Sequence, residues 1–302
     1  MSRVVFLLLP RLHLLDLAGP AQVFSTAADL GHDYRLRYVA ESPEVPTAQG
    51  LPVRAEPDWP ELSPDDLVVV PGCRAPTLAA APEVSAGVLG RLAAHHAAGG
   101  TVASVCSGAD VLGRAGLLDG RRCATHHELS AELARRYPAA RVLRDVLYVV
   151  DDRVVTSAGI ASGIDLALHL VAARHGPGAA ARVARSMVVY ARRNGDEPQD
   201  SAMLRHRAHL SDAVHRAQDM IDTRFAHPLR LDELAAGVGV SPRTLTRLFG
   251  SATGLTPLRY QQMLRLERAE HLIGHGSTVE TAARAVGFAD ARMLRRLRSA
   301  AR

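Results

Sequence analysis

One cysteine stands where a backbone elbow would present it as a nucleophile. The run Ala103-Ser104-Val105-Cys106-Ser107-Gly108 reads as a strand that turns through small residues into a helix. A side chain at such a turn is held in a strained, exposed position. A thiol there also faces a helix N-terminus, whose dipole favours the thiolate. Asp16 follows the first apolar run and offers a carboxylate. Gly72 follows another apolar run, and its backbone N–H is suited to hold an oxyanion. His126 and His127 follow a short strand that leads towards the same crevice. Asp16, Gly72, Cys106, Ser107 and His126 therefore form the candidate ligand-binding set, and Cys106, Asp16 and His126 the candidate catalytic set. The bland alternatives stay open at this level, because a lone cysteine is often a small buried hydrophobe and the histidines fit a surface or a satisfied core. Cys73 lies close enough to touch the Cys106 site, whereas Cys123 reads as structural.

A second chemistry sits near the C-terminus. Ala235-x-x-x-Gly239 is followed by Ser241-Pro242-Arg243, and Ala283-x-x-x-Gly287-Phe288 is followed by an arginine-rich segment. Each copy puts a small residue on one helix and a glycine in the turn to the next. That is a helix-turn-helix, whose second helix enters a DNA major groove. In the first copy Leu245, Leu248 and Phe249 form the inner face, leaving Arg243, Thr244, Thr246 and Arg247 to face DNA. In the second, Leu294 and Leu297 face inward, and Arg292, Arg295 and Arg296 are the outward candidates. Arginine bonds guanine O6 and N7 bidentately, worth about 1–3 kcal/mol of discrimination. A solvated charged face is the bland reading of one basic helix, but two tandem units argue against it.

These groups need elements to position them. The first half alternates strand-like runs with helical segments. Strands are expected at Val4–Leu9, Arg35–Val39, Leu67–Val70, Thr101–Val105, Tyr148–Val150 and Val154–Thr156. Helices are expected at Pro20–Leu30, Val84–Ala98, Ala109–Ala115, Gly163–Arg174 and Ala179–Val189. Alternation of this kind predicts an α/β sheet with helices on both faces. Ligands in such folds bind at the C-terminal edge of the strands, where Asp16, Gly72 and Cys106 all fall. A polar stretch with Asn194-Gly195 and Pro198 marks a linker over 192–205 between a ligand-sensing domain (1–191) and a DNA-binding domain (206–302). Beyond it the chain reads as helices only: Ser211–Phe225, Leu231–Val238, Ser241–Thr253, a long connecting helix Pro257–Ile273, and a last pair opened by a capping box at Ser277-x-x-Glu280.

Composition narrows the setting. The chain has 302 residues, 47% hydrophobic, enough for two packed domains. Its net charge is +5, and all 36 basic residues are arginine, which suits a nucleic-acid partner. No apolar run is long enough to span a membrane, and no signal-peptide cleavage site follows the first one, so a cytoplasmic protein is expected. The three cysteines have neither zinc spacing nor a disulfide pattern and suit a reducing compartment. No metal or cofactor is expected.

The residues reach two known families. Leu231–Arg302 resembles the AraC/XylS DNA-binding domain through Gly254-Leu255-Thr256-Pro257-x-x-Tyr260 and Arg265-Leu266-x-x-Ala269. That resemblance implies adjacent major grooves read by Arg243, Thr246 and Arg247 and by Arg292, Arg295 and Arg296. Where the family's second unit has an aromatic anchor, this sequence has Arg298. The first half resembles the ThiJ/PfpI, class I glutamine-amidotransferase-like fold. The match runs through Asp16-Leu17-Ala18-Gly19-Pro20, Pro71-Gly72, Val105-Cys106-Ser107-Gly108, Ala115–Arg121, Thr125-His126-His127 and Ser157-Ala158-Gly159-Ile160. The two together resemble the GlxA-like class of transcriptional regulators. They imply a flavodoxin-like sheet followed by an all-α domain with two helix-turn-helix units. They also imply an operator-DNA partner, a small nitrogenous effector, homodimerisation and a contact with RNA polymerase. Within the superfamily Cys106 and Asp16 stand where isonitrile-hydratase-type enzymes keep their elbow cysteine and aspartate, while Ser107 and Cys73 depart from that pattern.

The leading reading is thus a sequence-specific transcription factor with a small-molecule-sensing domain, not an enzyme. The alternative is a cysteine-dependent hydratase or amidase of isonitrile-hydratase type. A third reading is a redox sensor acting through Cys106.

Overall fold

The computed structural model describes residues 2–189, 193–196, 199, 205–207, 209–274 and 276–300. The chain falls into two compact units, Met1–Gln199 and Asp200–Arg302. The expected linker over 192–205 lies mostly outside the described residues.

Among its described residues the first unit has ten strands and six α-helices, named here in chain order: β1 (Ser2–Leu7), α1 (Leu14–Asp29), β2 (Tyr34–Val39), β3 (Glu44–Val45), β4 (Val53–Arg54), β5 (Leu67–Val70), α2 (Ala86–Ala97), β6 (Thr101–Val105), α3 (Ala109–Arg114), β7 (Arg122–Cys123), α4 (Ser130–Arg136), β8 (Arg141–Val142), β9 (Tyr148–Asp151), β10 (Val154–Ser157), α5 (Ser162–His175) and α6 (Pro177–Ser186). Six of the strands form one sheet in the order β2-β1-β5-β6-β10-β9, parallel except for the β9 edge. The alternation of a strand buried on both faces is visible in β1. Val4 and Phe6 pack into one core with Phe24, Leu166 and Val171, while Val5 and Leu7 pack into the other with Leu92, Leu112 and Leu133. The sheet is therefore covered on both faces, as its continuous apolar strands require.

Helix α1 departs from expectation. It starts at Leu14, ahead of Pro20, and carries that proline inside it. An interior proline removes one helical hydrogen bond, and here the missing donor leaves the Asp16 carbonyl without its usual partner. Packing outweighs propensity: α5 presses so closely that a Cβ on Gly163 would lie 3.2 Å from Pro20 Cγ. The early start places Asp16 in the first turn of the helix, rather than in a loop before it.

The second unit contains six described helices, α7 (Asp212–Arg224), α8 (Leu231–Gly237), α9 (Pro242–Thr253), α10 (Pro257–Gly274), α11 (Val279–Ala285) and α12 (Ala291–Ala300). Helices α8–α9 and α11–α12 are the two helix-turn-helix units. Their turns use Gly239 at φ +74° and Gly287 at φ +83°, the left-handed region that a glycine enters without a Cβ penalty. Each unit has its own core. Leu234, Leu245 and Phe249 anchor the first, and Ala283, Leu294 and Leu297 the second. Phe225 packs against both. The capping residue of α11 is Thr278, which accepts from the Thr281 N–H, and not the Ser277 of the expected box. The chain reaches helical geometry one residue later than the motif suggests.

Candidate functional site

Cys106 opens a tight turn at the end of β6 with φ +57°, a conformation that non-glycine residues seldom adopt. The elbow is real. The thiol is not exposed, however: the residue is only 6% accessible. Thr125 holds the elbow by donating its hydroxyl to the Cys106 carbonyl at 2.8 Å. Ser107 holds it from the other side. Its hydroxyl accepts from the Cys73 N–H at 2.8 Å and lies 3.0 Å from the Cys73 carbonyl. Of the candidate ligand groups, the Ser107 hydroxyl is therefore spent on bracing the Pro71–Cys73 segment.

Four of the five candidates meet at one point. A Cβ on Gly72 would lie 2.5 Å from Asp16 Oδ2, 2.8 Å from Cys106 Cβ and 3.0 Å from the Ser107 N. Gly72 is thus the floor shared by Asp16, Cys106 and Ser107. Asp16 is wholly buried there. The Gly72 N–H and the Cys106 thiol lie beside its carboxylate and favour its charge, yet neither oxygen completes a hydrogen bond of ordinary geometry. Burial dominates and pushes the carboxyl up to about 7. Buried acceptors are normally satisfied, so this carboxylate calls for a donor from a ligand or solvent.

The thiol is pushed the same way. Burial comes first, the Asp16 charge second, and a backbone hydrogen bond from Ser107 offsets only part of the rise. The expectation of a helix-favoured thiolate at Cys106 is therefore corrected. The following helix α3 has six residues and begins only at Ala109, after a 3-10 turn, so the dipole available to the sulfur is small beside the cost of desolvation. Burial also raises the Cys73 and Cys123 thiols.

The fifth candidate, His126, follows Thr125 in the chain and lies near His13. Its ring is half-buried, lies 4.3 Å from the His127 ring at a tilt of 32°, and has Nδ1 3.7 Å from Glu128. Sequence reasoning missed His13. This residue precedes α1, donates its N–H to the Gly72 carbonyl at 2.9 Å, and lies near Arg74 and His126. Burial and then those two neighbours lower its pKa, which favours the neutral ring. Gly159, quoted only as part of a motif, also proves to be a wall of the site against Cys106. No local signal marks His13, because its role arises from a contact with Gly72 far along the chain.

The second candidate site is the pair of recognition helices. On α9, Leu245 and Phe249 are buried, and Arg243, Thr246 and Arg247 are exposed. No ion pair holds Arg243 or Arg247 among the described residues. Thr244 is used locally: its N–H and hydroxyl both bond the Ser241 side chain, capping the helix. On α12, Arg292, Arg295 and Arg296 are all exposed, but they are not equivalent. Arg295 pairs with Glu280 of α11. Arg298, half-buried, pairs with Glu270 of α10 at 2.8 Å, whereas the corresponding Phe249 of the first unit is fully buried. An ion pair thus closes the second unit where an aromatic ring closes the first.

Arg265, in α10, ties the two units. Its guanidinium donates to the carbonyls of Phe225 (2.6 Å), Gly287 (2.9 Å) and His227 (3.0 Å), and lies 5.6 Å from the centre of the Phe288 ring.

Comparison with known proteins finds relatives of both units. The profile of the DJ-1/PfpI family matches residues 2–173, and that of a helix-turn-helix domain matches residues 234–299. The HTH-type transcriptional regulator CdhR of Pseudomonas aeruginosa is 30% identical over 273 residues, covering 89% of this chain and 79% of that protein. The HTH-type transcriptional regulator GbdR of Pseudomonas aeruginosa is 33% identical over 185 residues, 60% of this chain, and the match spans about half (49%) of its length. Among solved structures, an AraC family transcriptional regulator from Pseudomonas putida superposes with a TM-score of 0.53 at 28% identity, covering 62% of this chain and all of that one. No described helix is long and apolar enough to cross a membrane.

Proposed function

The chain belongs to the DJ-1/PfpI family and carries an AraC-type helix-turn-helix domain as a DNA-binding transcription regulator, and we propose that its first unit senses a small nitrogenous effector while α9 and α12 read operator DNA. The observation that carries the DNA reading is the pair of exposed arginine faces on two separately packed recognition helices. Among the described residues Arg243 and Arg247 have no carboxylate partner to compete with DNA, which makes α9 the principal base reader. Arg292 and Arg296 extend the contact to the next groove. Thr246 stands beside Arg247 on the exposed face of α9.

The sensing role rests on Asp16. A buried carboxylate with both oxygens unsatisfied, floored by Gly72 and flanked by Cys106, favours a ligand that brings an N–H donor or a positive charge. Such a ligand would bind the state in which Asp16 is ionised and so shift the population of conformers available for DNA binding. Pairing of two chains through the first unit, a cytoplasmic setting beside the DNA and contact with RNA polymerase complete the reading. Hydratase or amidase chemistry is the second reading, and the buried, protonated Cys106 weighs against it.

The test is fluorescence anisotropy of the full chain with DNA from upstream of its own gene, across a salt series. Specific binding with a steep salt slope, weakened in Arg247→Ala, is expected. Equal affinity for any DNA, indifferent to Arg247, would reject the regulator reading. Turnover of isonitriles or amides that is lost in Cys106→Ser would favour the enzyme.

A further inference from the structure

A second cavity opens at the C-terminal ends of β1 and β2, apart from the Cys106 crevice. Its volume is about 270 Å³, and none of Asp16, Gly72 or Cys106 lines it. Leu8, Val45 and Val88 form an apolar floor and are buried in the cores on the two faces of the sheet. Glu41, Glu44 and Glu83 stand at its rim and are exposed. The charge is one-sided. The chain carries 36 basic residues, all arginine, against 31 acidic ones, yet no arginine or histidine lines this cavity. No ion pair engages the three carboxylates among the described residues.

We propose that this cavity is a second ligand site, for a small organic cation with a short apolar body. The floor removes the apolar body from water, and the three carboxylates attract the cationic head into a space that no protein cation fills. A neutral or anionic ligand of the same shape gains the first contribution only, and an anion is repelled at the rim. The size suits a ligand of few heavy atoms, being close to the lower end of the range of small-molecule pockets, about 300 Å³.

The site borders the first one through a single segment. Pro10 and Pro46 line the cavity. Arg11, at φ +63°, donates its N–H to the Pro46 carbonyl and accepts at its own carbonyl from the Arg74 N–H at 2.8 Å. The next residues are Leu12 and His13, which lead directly into the helix that carries Asp16. The Pro10–His13 segment thus runs from this cavity to the Gly72 floor of the first site, and the two share no binding group.

The test uses the full-length protein and three probes with the same six-carbon body: hexylammonium, hexan-1-ol and hexanoate. Calorimetric titration is expected to show saturable binding of hexylammonium, binding of hexan-1-ol weaker by about tenfold, and none of hexanoate. Raising the salt weakens the hexylammonium signal. The triple variant Glu41→Gln/Glu44→Gln/Glu83→Gln alters only exposed side chains, so it folds, and it is expected to lose about tenfold in hexylammonium affinity. Asp16→Asn leaves that affinity unchanged, which separates this cavity from the crevice. Equal binding of the three probes, an unaltered affinity in the triple variant, loss of binding in Asp16→Asn, or no saturation by about 10 mM would each overturn the proposal.

Discussion

A Cβ placed on Gly159 would lie 2.3 Å from the Cβ of Cys106. Gly159 also sits at φ +73°, so a side chain there meets both a steric and a conformational penalty. Gly159→Ala is expected to destabilise the first unit by about 1–3 kcal/mol. Urea titration followed by circular dichroism measures this. An unchanged midpoint would mean that the elbow yields freely and that Gly159 does not fix it.

The Asp16 carboxyl makes stability depend on pH. Its pKa rises on folding from 3.8 to about 7, so the folded state binds more protons than the unfolded state between those values. Stability from this group therefore falls as pH rises through that window, by up to about 4 kcal/mol in total. Asp16→Asn removes the penalty. The variant should match the wild type near about pH 4 and exceed it near about pH 8. Denaturant unfolding at both pH values decides it, and a variant less stable at the higher pH would contradict the buried, unsatisfied state of the carboxylate.

Cys106 should be a slow nucleophile in the free protein. Burial and Asp16 both raise its thiol, and alkylation proceeds through the thiolate. Iodoacetamide at neutral pH, read by mass spectrometry, is expected to label Cys106 no faster than an unfolded cysteine. Asp16→Asn removes the neighbouring charge and should quicken the labelling. Rapid selective labelling of wild-type Cys106 would restore the elbow nucleophile.

The two recognition helices should differ in their response to substitution. Arg247→Ala is expected to cost about 1–3 kcal/mol on the specific operator and to relax its sequence preference. Glu280→Ala releases Arg295 from its ion pair. The freed arginine becomes available to a phosphate, so DNA binding should strengthen and its salt slope should steepen by about one. Anisotropy at several salt concentrations gives both quantities. Weaker binding in Glu280→Ala would show instead that Glu280 orients Arg295 for DNA.

Arg265→Met should destabilise the second unit by about 2 kcal/mol. The loss falls mainly on the Gly287 carbonyl, since Gln261 also donates to the Phe225 and His227 carbonyls. Arg265→Lys is expected to rescue little, because an ammonium cannot serve three carbonyls with a planar fork. Thermal melting of the three proteins tests this, and full stability in the lysine variant would reduce the role of Arg265 to that of a charge.

Much of this protein was written in local pattern. The strand runs are apolar on both faces because both faces are covered, so Leu67–Val70 and Thr101–Val105 were legible to the residue. Gly239 and Gly287 marked the turns of the two helix-turn-helix units, and Leu245, Phe249, Leu294 and Leu297 their inward faces, because a helix buries every third or fourth side chain. The meeting of Asp16, Gly72 and Cys106 followed from the rule that strand ends gather at one sheet edge.

What the sequence did not decide is what depends on contacts between distant segments. The start of α1 ahead of Pro20 follows from packing against Gly163. The place of His13 follows from a hydrogen bond to Gly72. The protonation of Cys106 was reversed from expectation, since a motif records an elbow but not how deeply the surrounding chain buries it. The pairing of Arg295 with Glu280 and of Arg298 with Glu270 likewise needed three helices in place. Spacing along a chain sets which side chains share a face, whereas desolvation and charge pairing are set by whatever the rest of the chain brings against that face.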